Sequence, residues 1–278
     1  MASAPWTEQR RVLEIRRRWH VADVTVRVLE GFREHRSGRN AAVIAYYGFL
    51  SIFPLMLALT TILGFVLEGH PALRQDIIDS AVSRIPIIGQ QIADDPSKLK
   101  GSLVALVVGL LTTLWAGMRA FVGVQSALDD VAEVPLDGRP NVAKKRLHAL
   151  EGIAIVGVAQ IGTAILHSLV GVDSVNLFEG ALLIVAAAVI NVLVLALIYR
   201  WLCSRPLSLH ATWPGALLAG ALFTVLQLIG VRLVGRAVAN ASPVYGTFAS
   251  VIALLSWLSL HANVTLLGAE LNRVVDRD

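Results

Sequence analysis

FEGALLIVAAAVINVLVLALIY, residues 178–199, is a run of 22 residues with a single charged side chain, Glu179, at its start. A helix rises 1.5 Å per residue and a bilayer's hydrocarbon core is about 30 Å thick, so ~20 apolar residues suffice to cross it. Five more stretches of the same kind occupy residues 41–67, 102–124, 149–171, 211–235 and 245–269. The chain therefore reads as all-α, a polytopic membrane protein of six transmembrane helices.

Composition agrees with that reading. Of 278 residues, 55% are hydrophobic and 16% charged, against about 25% charged in soluble domains, and the mean hydropathy is +0.66. Three segments are expected: a cytoplasmic N-terminal segment over 1–40, a membrane domain over 41–272, and a short cytoplasmic tail over 273–278. Arg10, Arg11, Arg16, Arg17 and Arg18 precede a charged amphipathic stretch rather than a short apolar core, so no cleavable signal is expected. Cys203 is the one cysteine and excludes an intrachain disulfide.

Lysine and arginine set the orientation, because they retard translocation of short flanking loops. Seventeen lie on the side that holds both termini and the 125–148 and 200–210 connectors; six lie opposite, and Arg119 falls inside the second span. Both termini are expected in the cytoplasm. The net charge of +4 then reflects contact with anionic lipid headgroups, not nucleic acid.

Between the spans, Val21, Val24, Val28, Leu29 and Phe32 recur at helical spacing among charges, which predicts an amphipathic helix lying in the cytoplasmic interface. Asn40 suits the N-cap of the first crossing helix, and Pro54 at its middle removes a backbone hydrogen bond and should kink it. Pro54 is a gating candidate, with packing as the plainer reading. Residues 71–100 form the one long exterior segment; its Asp94-Asp95 pair reads as a hydrated turn. The 125–148 stretch, with Asp129, Asp130, Glu133 and Arg139, reads as a solvated cytoplasmic connector.

An ionisable group at membrane depth costs about 2.5–3.5 kcal/mol on insertion scales, so it marks a functional position or finds a partner. Arg119 lies about five residues before the cytoplasmic end of span two. It can snorkel, form a structural ion pair or bind an anion. Glu270 ends span six on the same side, and Tyr46 and Tyr47 begin span one at similar depth. These four are the candidate substrate-binding residues. For the tyrosines the plainer role is an interfacial aromatic belt. His167, His261, Gln160, Asn191, Gln227 and Asn263 read as interhelical hydrogen-bond partners. The seven histidines are scattered, no metal-ligand spacing or phosphate loop is present, and neither an enzyme activity nor a metal or other cofactor is expected.

Ala41-Ala42-Val43-Ile44-Ala45-Tyr46-Tyr47-Gly48-Phe49-Leu50-Ser51-Ile52-Phe53-Pro54-Leu55 resembles the signature segment of the YihY/BrkB family of bacterial inner-membrane proteins. Tyr245-Gly246-Thr247-Phe248-Ala249-Ser250, Leu255-Ser256-Trp257-Leu258 and Leu267-Gly268-Ala269-Glu270-Leu271-Asn272 resemble its C-terminal signature. Tyr199-Arg200-Trp201 and Trp213-Pro214-Gly215-Ala216 fit its connector. The resemblance implies six spans with both ends inside and a multi-pass place in the bacterial inner membrane. It also implies an association with the cell envelope. The family's older ribonuclease label finds no metal-ligand cluster here to support it. Two functions follow as expectations: a transporter or flippase of an anionic lipid or lipid-linked envelope precursor, or a non-transporting scaffold that gathers envelope proteins. The expected partners are anionic membrane lipids and, for the scaffold, envelope proteins.

Overall fold

A computed structural model describes Arg16 and residues 19–67, 103–169, 177–205, 207–239 and 246–277. The 71–100 segment, and the side chains of Gln160 and His167, lie outside the described residues. Those described form seven α-helices: α1 (His20–Glu34), α2 (Ser37–Leu67), α3 (Leu103–Val131), α4 (Val142–Leu169), α5 (Leu177–Leu202), α6 (Leu209–Ala239) and α7 (Gly246–Asp276). A 3-10 turn, Leu136–Gly138, lies between α3 and α4. No strand occurs among the described residues.

Four of the helices carry stretches long and apolar enough to cross a bilayer: Leu106–Val131, Gly180–Leu202, Leu209–Ile229 and Val251–Asp276. Their flanks run further than hydropathy suggests. α3 continues from the expected end at 124 to Val131, and α7 from 269 to Asp276. The 125–148 stretch is thus mostly helix, with a connector of about ten residues between Val131 and Val142. α7 is continuous from Gly246 to Asp276.

α2 starts at Ser37, so Asn40 is inside the helix rather than its cap. What separates α1 from α2 is a turn at His35 and Arg36, with Arg36 in the left-handed region at φ 53°. Asn40 instead donates to Asp130 Oδ2 at 3.1 Å, reaching the end of α3.

By packing, the chain divides into two compact units, residues 1–46 with 118–278, and residues 47–117. In the first, α6 packs on α5 and α7, α4 on α5, and α1 on α7. Small residues set these approaches, since without a hydrophobic force between helices in lipid, close backbone contact supplies much of the association energy. A Cβ on Gly215 would meet the Gly268 carbonyl, and one on Gly220 would meet the Val192 backbone. Leu195, Tyr199, Leu202, Ala216 and Ala219 fill the core between them. The second unit carries Pro54 within α2; there Thr61 Oγ donates to the Leu57 carbonyl and Thr112 Oγ to Val108, each within its own helix.

Candidate functional site

One end of the first unit gathers nearly all its buried polar chemistry. There α3, α5 and α7 finish, α4 and α6 begin, and the α1–α2 turn folds over them. Glu270, in the last two turns of α7, is fully buried, a position that an isolated carboxylate tolerates only when neutralised or paired. Three groups hold it. His35 Nδ1 lies 2.8 Å from Oε1, Ser37 Oγ–H donates to the same oxygen at 3.3 Å, and Arg273 Nε–H donates to Oε2 at 3.0 Å.

Gly31 makes the arrangement sterically feasible, because a Cβ there would collide with the Arg273 guanidinium and the Glu270 carboxylate. α1 therefore rests directly on the ion pair, with Val28 buried beside it. Of the amphipathic stripe read in α1, Phe32 packs into the cluster of Ala41, Ala127, Ala262 and Leu266. Val21 and Leu29 stay exposed.

His35 has a second carboxylate on its other side: Nε2 lies 3.5 Å from Glu133 Oε1. With acceptors facing both ring nitrogens, the imidazolium is the form the pocket fits. The Glu270 hydrogen bond holds its pKa above the ordinary 6.5, against the opposing effect of burial. Glu133 also binds Arg277 Nη2 at 2.8 Å and Arg273 Nη1 at 3.4 Å. The Arg277 hydrogen bond, foremost, holds its carboxyl below the usual range. Glu133 sits at φ 53°, a left-handed residue just past the end of α3 that turns the chain and closes that helix.

Two further ties lock the helix ends. Asp129, fully buried, accepts both the Ser204 N–H at 2.8 Å and its Oγ–H at 2.9 Å, joining α3 to the start of the α5–α6 connector. Asn272, also fully buried, accepts the Gly215 N–H through Oδ1 at 2.7 Å. Gly215 follows Pro214 inside the first turns of α6, so Asn272 ties the last turns of α7 to the start of α6. Tyr199, buried in α5, donates to the Thr265 carbonyl of α7 at 2.7 Å.

The residues singled out in the sequence are distributed unevenly over this framework. Glu270 is at its centre. Arg119 is exposed on α3, Tyr46 is 53% exposed on α2, and Tyr47 is half-buried at the edge of the second unit. All three have interaction partners of their own. Among the other polar residues, Asn191 Nδ2 donates to Thr224 and Gln227, linking α5 to α6 as an interhelical bond. Asn263 donates to Ser259 within α7. His261 lies against Trp257 and Phe223.

Sequence reading passed over His35, Ser37 and Arg273, gave Asn272 no role beyond the C-terminal signature, and placed Asp129 and Glu133 in a solvated connector, whereas Asp129 is fully buried. The signal for Asp129 was present: it continues the helical register of span two past 124, and a carboxylate on the inward face of such a helix needs a donor. Among the described residues no group of three or more His, Cys, Asp or Glu side chains is placed to hold a metal ion.

The chain matches the family "Virulence factor BrkB" over residues 28–278. It is similar to the inner membrane protein YhjD of Escherichia coli, 23% identical across 87% of this chain and 77% of the relative. A ribonuclease-like protein of Bacillus subtilis, YfkH, is 24% identical across 87% of this chain and 91% of its own length. A UPF0761 membrane protein of Rhodospirillum rubrum is 24% identical, with 88% of this chain covering 57% of it. No solved structure matches.

Proposed function

From a chain that belongs to the BrkB family and has several helices able to cross a bilayer, we propose a multi-pass inner-membrane transporter or flippase of an anionic lipid or lipid-linked envelope precursor. Six crossings with both termini in the cytoplasm complete the proposed topology. α2 and α4, at 31 and 28 residues, have the length for the two crossings beyond the four already identified. The charge asymmetry of the connectors supports the orientation.

The observation that carries the reading is the fully buried Glu270, inside a stretch long and apolar enough to cross a bilayer and paired with His35 and Arg273. Ionisable groups within membrane spans are functional-site candidates by default. A carboxylate already bound to arginine can be exchanged for an anionic headgroup, which offers the guanidinium the same two-oxygen geometry. In this proposal Arg119 and Tyr46 receive the headgroup, and Pro54 supplies a bend in α2. No covalent change to the lipid is involved.

The experiment is reconstitution of the purified protein in vesicles, following labelled phospholipids and a labelled polyprenyl phosphate. Movement faster than in protein-free vesicles is expected, and slower movement with Arg119→Ala. Equal rates with and without protein across that panel would overturn the reading and favour the scaffold. Arg119→Ala transporting at the wild-type rate would remove that residue from the path.

A further inference from the structure

The ends of α3, α5 and α7 leave a partly open cavity of about 100 Å3 between them. Leu128, Val131 and Leu207 make one part of its wall; Arg205, Asn272 and Arg277 belong to the polar part. Because Oδ1 of Asn272 accepts from Gly215, its other amide atom, Nδ2, is a donor, and this buried donor has no acceptor among the described residues. Native proteins rarely leave such a group unmet.

Arg205, exposed at the start of the α5–α6 connector, is a second donor beside it. The ion pairs at this end join Arg139 to Asp130, Arg273 to Glu270 and Glu133, and Arg277 to Glu133. Arg205 takes part in no ion pair among the described residues. The residues around one cavity thus include a buried amide donor without an acceptor, an exposed arginine outside the ion pairs, and several apolar side chains. Asp276 contributes the one carboxylate in that wall.

We propose that this cavity binds a phosphate group, with Asn272 Nδ2 and the Arg205 guanidinium as its donors and Arg277 at its rim. A water needs about 10–15 Å3 of such space, so the cavity has room for a phosphate and the first atoms of its ester. A phosphate presents several terminal oxygens and satisfies an arginine fork and an amide together. Asp276 accepts the hydroxyl that a singly protonated phosphomonoester retains, and Leu128, Val131 and Leu207 contact its substituent. Binding here requires no lipid movement, so it stands or fails apart from the transport reading.

Cys203 supplies a built-in reporter. It lies in the same wall, it is the chain's one cysteine, and burial pushes its thiol up to about 11. Full-length protein in a neutral detergent is titrated by calorimetry with dihexanoyl phosphatidate, inorganic phosphate and dihexanoyl phosphatidylcholine, and Cys203 alkylation is followed by mass spectrometry. Saturable phosphatidate binding that slows alkylation is expected, with no effect of phosphatidylcholine. Arg205→Gln alters an exposed side chain, and Asn272→Asp keeps the acceptor for Gly215 while placing a negative charge in the cavity. Each should weaken binding about tenfold or more, the size expected for losing a charge-assisted hydrogen bond. Binding of both phosphatidate and inorganic phosphate supports the site and assigns recognition to the phosphate alone; phosphatidate alone supports it and assigns a lipid source. No saturable binding of either, or affinities unchanged in both variants, would overturn it.

Discussion

The polar end of the bundle and its apolar middle solve the same problem in opposite ways. In the middle, polar side chains mostly stay within their own helix: Thr265 Oγ donates to the His261 carbonyl and Asn263 to Ser259. At the end, Glu270, Asp129, Asn272 and Glu133 each bond to another helix or connector. A hydroxyl folded back on its own helix places no demand on its neighbours, whereas a buried charge demands particular partners at particular distances. The middle is therefore held by shape and the end by identity, and substitutions should separate the two.

The separation can be read as shifts in the unfolding midpoint in detergent, using a thiol-reactive dye that reaches Cys203 when its surroundings open. Glu270→Ala should have the largest effect, about 3–5 kcal/mol, because it leaves His35 and Arg273 as like charges over a buried gap. A midpoint within error of wild type would mean that the pair holds nothing together. Gly268→Ala comes next, at about 1–3 kcal/mol, because the added methyl meets the Tyr199 hydroxyl and the Gly215 carbonyl. Asn191→Leu removes the interhelical bonds of the middle and should cost about 0.6 kcal/mol, the average for such bonds in membrane proteins. A loss as large as that of Glu270→Ala would erase the contrast between the regions.

A pH dependence sharpens it further. The folded pKa of His35 is raised above 6.5, so its contribution is whole below about 6.5 and is lost as pH rises through the raised value. Wild type should lose stability from pH 6 to pH 9, and His35→Gln should lose less over the same range. Parallel curves for the two proteins would show that the imidazolium is not what binds α1 to α7.

The same contrast explains what could be read from the sequence. Hydropathy located the helices, since apolar length is a property of each segment alone. It ended α3 and α7 early because Asp129, Asp130, Glu270 and Arg273 look like loop residues until their partners are known. Glu270 stood out as an ionisable group closing a span. His35, 235 positions away, did not, because their meeting depends on a close approach at Gly31 that no local pattern encodes. Asn40 was read as a cap for the same reason, although its donor serves Asp130 across 90 positions.

The most direct measurement of the central claim, that the polar end carries the function, is lipid translocation in matched vesicles containing wild type, Glu270→Gln or Asn191→Leu at equal folded protein. Wild type and Asn191→Leu should move the labelled anionic lipid at similar rates, and Glu270→Gln should fall toward the rate of protein-free vesicles. Full activity in Glu270→Gln, or equal loss in both variants, would contradict the account.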